Sequence, residues 1–232
     1  MRNHALSSSR PGEGRFDTKA RTLLEAAGQV FAEKGFDRAT AKEICARAGV
    51  NAASVNYYFG GIEGLYTAVL EEAYGQIPRH QALSDAIAGK ANPEARLRAL
   101  IELMVRTLTG PAASSWTFRV ISREFLAPSP ATESLRRKQI EPKGRIISSI
   151  VSEVMGLSED HPAVALGWIS VMAPCVMLLV KDRRSLKSIL PKLELGPDGA
   201  DALVDHLLRH AMAGLTAVGK EIRKKAQQAR SA

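Results

Sequence analysis

"VNAASVNYYFGG", residues 50–61, decides how this chain is read. An Asn and two tyrosines crowd a segment of barely two helical turns, bounded by Gly49 and by Gly60–Gly61. A helix this short is marginal in water, so something must hold it from behind. Val55 and Phe59 stand four apart and share one face that can pack inward. The opposite face presents Ala52, Ala53, Asn56 and Tyr57, with Tyr58 at its edge. The Asn56 amide has the geometry to pair bidentately with adenine, and tyrosine hydroxyls can donate to phosphates. Small Ala52 and Ala53 let the helix N-terminus approach a partner closely.

The upstream residues supply the support. "TAKE" (40–43) reads as a capping box in which Thr40 caps and Glu43 reaches back. A helix over 41–48 follows, with Ile44, Cys45 and Ala48 inward. Gly49 makes a tight turn and Asn51 caps the next helix. Before them, a helix over roughly 18–34 carries Ala20, Leu23, Leu24, Ala27, Val30 and Phe31 on one stripe and ends at Gly35. Two short helices around a Gly turn make a helix-turn-helix, whose second helix lies in the DNA major groove. The same pattern also serves all-α proteins that never touch DNA.

Residues 20–70 resemble the DNA-binding domain of TetR/AcrR-type transcriptional repressors. The matching motifs, in order, are "AAGQVFAEKGF", "T…EICARAGV", "YYF" and "EGLY". The resemblance implies DNA contact by Thr40, Asn51, Asn56, Tyr57 and Tyr58, and Lys42, Ala52 and Ala53 complete the candidate set. One departure stands out: the polar cap and Lys usual in the family after the Phe are here Gly61 and Ile62. The lost phosphate contact is expected to weaken affinity modestly, or to be offset by Arg10, Arg15 or Lys19 in the N-terminal arm. "SREFLAPSP", "IEPKGRIISSIVSEVMG" and the later apolar helix resemble, more loosely, the C-terminal domain of the CerR-type branch.

Composition sets the outer bounds. The 232 residues are 45% hydrophobic and 24% charged, as in ordinary soluble proteins, with net charge +8. Nine Lys/Arg against six Asp/Glu leave residues 1–60 only +3, so charge by itself decides nothing about DNA. No secretory signal is expected, and the run 165–180 carries a Pro and is too short for a membrane span. Cys45 and Cys175 have no metal or redox spacing and read as reduced cytosolic thiols.

The remainder is helical. Pro93 opens a helix over 93–108, a Pro pair stops one over 115–130, and Pro142 is expected to kink one over about 131–155. Helices at 163–180 and 199–225 complete the set and are expected to pair two copies. The second offers Leu203, Leu207, His210 or Ala211, and Leu215 as its interface stripe. Met104, Trp116, Arg119, Arg123, Glu124, Trp168 and Met172 are candidate pocket residues for an unknown small-molecule effector; core packing and surface pairing are their plainer readings. His206 and His210 supply two ligands without a third, so no metal or other cofactor is expected. No nucleophile–base set or phosphate-binding Gly loop points to an enzyme.

The expected protein is therefore all-α. A flexible arm (1–16) precedes a three-helix DNA-binding domain (17–77, motif about 40–59), a helical effector-binding and dimerisation domain (78–225) and a tail (226–232). It would act in the cytoplasm as a homodimeric repressor on an inverted-repeat operator. A non-specific DNA-binding protein would bind all sequences alike, and a helical enzyme using the motif as scaffold would need a catalytic constellation.

Overall fold

The computed structural model describes residues 13–77, 80–180 and 183–231, and every regular element among them is helical. Four helices form the N-terminal module: α1 (Glu13–Lys34), α2 (Ala41–Ala48), α3 (Ser54–Phe59) and α4 (Ile62–Gln76). The α1 stripe packs as its spacing dictates, with Leu23, Ala27, Val30 and Phe31 fully buried against Ile44, Val55, Leu65 and Val69. α1 starts at Glu13, ahead of the expected start; Arg10 and the side chain of Arg15 lie outside the described residues.

Eight further helices follow: α5 (His80–Ile87), α6 (Pro93–Thr109), α7 (Trp116–Leu126), α8 (Pro130–Leu135), α9 (Glu141–Met155), α10 (Pro162–Val180), α11 (Arg183–Ile189) and α12 (Pro197–Arg230). Asn92 caps α6 through the Ala95 N–H at 2.8 Å, ahead of Pro93. Between α8 and α9 the chain makes a π-turn over Arg136–Ile140, where the Glu141 N–H donates to Arg136 O. Pro142 is the cause: it lacks an N–H, and its ring would strike the carbonyl four residues back, so the helix widens instead of breaking.

A second core joins α6, α9, α10 and α12 through Leu97, Ile101, Ile150, Val151, Val164 and Leu208. α10 is 19 residues long and apolar enough by composition to cross a membrane, longer than the run read from sequence. Only 22% of its apolar window is buried, and Leu166, Ile169 and Met177 lie exposed along one stripe. The stripe expected at an interface on α12 is instead this chain's own core: Leu215 is buried, and Leu203, Leu207 and Ala211 pack against the second core. The exposed face of α12 is shifted round to His206, His210, Ala213, Gly214, Ala217 and Val218.

α7 joins the N-terminal core to a third, smaller cluster. Trp116, Val120 and Ile121 complete the N-terminal core, while Phe118 packs with Leu108 and Cys175 beneath α10. Gly28 makes the junction possible, because a Cβ there would lie 2.5 Å from the Trp116 ring. Ala favours a helix over Gly by about 1 kcal/mol, but overpacking costs about 1–3 kcal/mol. Gly28→Ala should therefore lower stability in a urea titration, and Trp116→Leu in the same chain should recover part of the loss through non-additivity. A Gly28→Ala protein as stable as its parent would mean that Trp116 does not rest on α1.

Candidate nucleic-acid interface and interior cavity

Local hydrogen bonds build the helix-turn-helix. Thr40 caps α2, its Oγ1 accepting the Glu43 N–H at 3.2 Å, in extended conformation (φ −123°, ψ 144°). Only half of the expected box forms, because Glu43 turns to Lys34 (2.7 Å) and Arg47 (4.0 Å). Gly49 closes α2 at φ 66°, and Val50 N–H donates to Cys45 O. The Cys45 thiol, buried beneath the turn, donates to Ala52 O at 3.8 Å. Asn51 caps the turn ahead of α3 and not the helix itself: its Oδ1 accepts the Ala53 N–H at 2.8 Å, and α3 begins at Ser54.

Val55 is 1% exposed, so the short helix is held from behind. Thr40, Lys42, Asn51, Ala52, Ala53, Asn56 and Tyr57 are all exposed on α2, the turn and α3. Tyr57 projects furthest at 72% exposure, with its ring edge-on to Tyr58 at 4.9 Å. Tyr58 packs partly against the N-terminal core, as its edge position implies. Arg47 is bound to Glu33 by two bonds of 2.8 and 2.9 Å, which hold the Glu33 carboxyl below its usual range. Lys42 enters no ion pair among the described residues, so its charge stays available to solvent.

The candidate pocket residues divide. Met104, Trp168 and Met172 line a cavity of about 210 Å³, walled by α4, α6, α7, α9 and α10. Trp116, Arg119, Arg123 and Glu124 do not; all four lie on the side of α7 turned towards α1 and α4 or to solvent. Trp116 Nε1 donates to Glu25 at 2.8 Å. Arg123 donates to Ala32 O and Glu33 O at 2.8 and 2.7 Å, satisfying carbonyls that the end of α1 leaves without helical partners. Glu124, 2% exposed, accepts from Tyr66 Oη at 2.5 Å and from both the N–H and hydroxyl of Ser129. Burial, then this bond, push the Tyr66 phenol well above its usual range. Arg119 is exposed.

The charged group that does reach the cavity is Lys143, which the sequence reading missed. A signal existed: Lys143, Ile147, Ile150 and Val154 recur at helical spacing, which puts the lysine on the apolar stripe of α9. His206 and His210 stack on exposed α12 with centroids 6.5 Å apart, and no group of three metal-binding side chains forms among the described residues.

An all-helical chain with an exposed, Gly-turned helix pair ahead of a larger helical bundle has the architecture of a helix-turn-helix regulator. Residues 23–69 match the family model of bacterial regulatory proteins, tetR family, and residues 93–217 match the C-terminal domain of the HTH-type transcriptional dual regulator CecR. The chain belongs to the TetR family of transcriptional regulators, in the branch that carries this C-terminal domain. CecR, not CerR, is thus the name of the branch its second half resembles. It is 30% identical over 153 residues to CecR of Shigella flexneri, covering 62% of this chain and 68% of that protein. It is 33% identical over 114 residues to the regulator BetI 2 of Chromohalobacter salexigens, covering 46% of this chain and about half (52%) of that one. FadR from Bacillus subtilis, solved in complex with stearoyl-CoA, shares the fold with a TM-score of 0.60 at 18% identity, over 84% of this chain and 98% of that chain.

The departure at Gly61 acquires a structural reason. Gly61 sits at φ 128°, ψ −179°, a region open essentially to Gly alone, and α4 starts with no side-chain cap. A Ser there would add a cap worth about 1 kcal/mol but impose about 1–3 kcal/mol of backbone strain. Gly61→Ser should lower the midpoint of thermal unfolding; a raised midpoint would show that the turn relaxes into the capped form.

Proposed function

We propose that this chain is a homodimeric repressor, acting in the cytoplasm, that reads an inverted-repeat operator and leaves it when a small molecule occupies the interior cavity. The observation that carries this reading is the cavity's position. Tyr74 at the end of α4, and Ile121 and Phe125 of α7, are part of its wall. α4 carries α3 on its N-terminal side, and α7 holds the end of α1 through Arg123. An occupant that favours a different setting of these two helices reorients the reading head, and only such differential binding shifts an equilibrium. Allosteric coupling is typically about 1–3 kcal/mol, or 5–150-fold in affinity.

In this reading Asn56 contacts a base edge, Thr40, Lys42, Tyr57 and Tyr58 meet phosphates, and Asn51, Ala52 and Ala53 shape the approach of α3. Dimerisation covers the exposed stripe of α10 with the small-residue face of α12 from a second copy, in place of the Leu203–Leu215 stripe that the chain's own core occupies. An uncovered row of Leu166, Ile169 and Met177 supports this, because contiguous apolar surface marks an interaction site.

The test begins by selecting bound genomic fragments in the presence of excess random DNA. Asn56→Ala should lose about 1–3 kcal/mol of discrimination at one base pair in each half-site. Lys42→Ala and Tyr58→Phe should weaken selected and random DNA alike, with the salt slope falling by about 1 for the lysine. Uniform loss in all three variants would reduce the protein to a non-specific DNA binder. Ile169→Glu should give a monomer by light scattering and abolish operator binding at concentrations that saturate the parent. A parent that is itself monomeric at micromolar concentration would end the dimer reading.

A further inference from the structure

We propose that the interior cavity is a site for a small apolar organic anion, a medium-chain or aryl carboxylate, with the Lys143 ammonium as its counter-charge. This deepens, and rests on, the reading of the cavity as the effector site. The wall is otherwise apolar or weakly polar: Met104, Leu108, Ile121, Trp168, Met172 and Cys175 surround the space. Lys143 is the single charged side chain among its described lining residues. Burial pushes Tyr74 up to about 12 and Cys175 up to about 11, so both stay neutral near pH 7 and bring no competing negative charge.

The carboxylates nearest in sequence are taken. Glu141 and Glu133 both bind Arg136, and Lys143 enters no ion pair or hydrogen bond among the described residues. The ammonium is half-buried against apolar walls, and burial lowers its pKa from the ordinary lysine value. A desolvated charge without a partner is unfavourable, and a carboxylate ligand would supply the missing half of the pair with a charge-assisted hydrogen bond. A neutral ligand leaves the ammonium unpaired, and a cationic one meets repulsion.

Size narrows the class further. The cavity, at about 210 Å³, falls below the roughly 300–1,000 Å³ of sites for drug-sized ligands. It suits a medium-length acyl chain or one substituted ring. Phe125 and Ile140 line the same cavity and remain 53% and 37% exposed, which leaves an apolar rim where such a body enters. The π-turn that Pro142 imposes ends at Ile140, three residues before Lys143.

The experiment is calorimetric titration of the full chain with decanoate and with 1-decanol, which share a tail and differ in charge. The parent should prefer decanoate by at least about tenfold, the increment a hydrogen bond to a charged group supplies. Lys143→Met, which keeps the apolar stem, should erase that preference while still binding decanol; Lys143→Arg, which keeps the charge, should retain it. Equal binding of the two probes, a preference that survives Lys143→Met, or no binding of either by folded protein would overturn the proposal. Operator affinity measured in the same samples separates the two readings. Decanoate bound with preference but without release would sink the release reading and leave the anion site standing. Release by other compounds, with decanoate ignored, would do the reverse.

Discussion

Everything in this molecule depends on α7 being anchored on both sides at once. Trp116 lies on the bare backbone of Gly28, Arg123 donates to the last carbonyls of α1, and buried Glu124 receives the Tyr66 hydroxyl of α4. These contacts differ in kind. The first is packing at van der Waals limits, the second pairs a cation with the negative end of a helix dipole, and the third is a charged hydrogen bond in a dry environment. Removing one partner of a buried charged bond costs more than the bond contributes, because the other partner is left unsolvated. The joint is therefore stiff, and a push on α7 reaches α1 and α4 together.

The same helix also explains how a domain with so short a reading helix is stable. α3 has six residues and cannot persist by itself. It is held by Val55 beneath it, by the Cys45 thiol under the preceding turn and by α4 behind it. α4 in turn is buried along Leu65, Tyr66, Val69, Leu70 and Ala73, and α7 covers part of that row. The N-terminal core is thus closed by residues forty or more positions beyond its last helix, Trp116 among them. A chain cut near residue 77 would expose that surface.

The helix-turn-helix was legible because its signals are local. Thr40 three residues before Glu43, a lone Gly49, and Val55 four before Phe59 fix caps, turn and buried face through contacts within one or two turns of chain. That Pro142 would disturb its helix was legible for the same reason, since a missing N–H acts on its own helix, although the outcome is a π-turn. The pocket residues were not. Trp116, Arg119, Arg123 and Glu124 carry the right chemistry for a ligand, but long polar side chains on an amphipathic helix can turn to either flank. In this fold Trp116, Arg123 and Glu124 serve the α1–α4 joint and Arg119 faces solvent.

α12 shows the boundary most clearly. Its sequence holds two usable stripes, a leucine row at 203, 207 and 215 and a row of small residues at 213, 214 and 217. Periodicity establishes that a helix has a face to bury but not which neighbour will bury it. By itself the sequence determined the all-helical class, the order of the long helices, and the exposed chemistry of α3, because these follow from hydrogen bonds and side-chain spacing inside single elements. Only the tertiary structure decided that the leucine row faces inward, that α7 closes the N-terminal core, and that Lys143 stands in an apolar cavity without a counter-ion. Those outcomes depend on which surfaces distant in sequence meet, and burial free energy is non-directional until the partners are fixed.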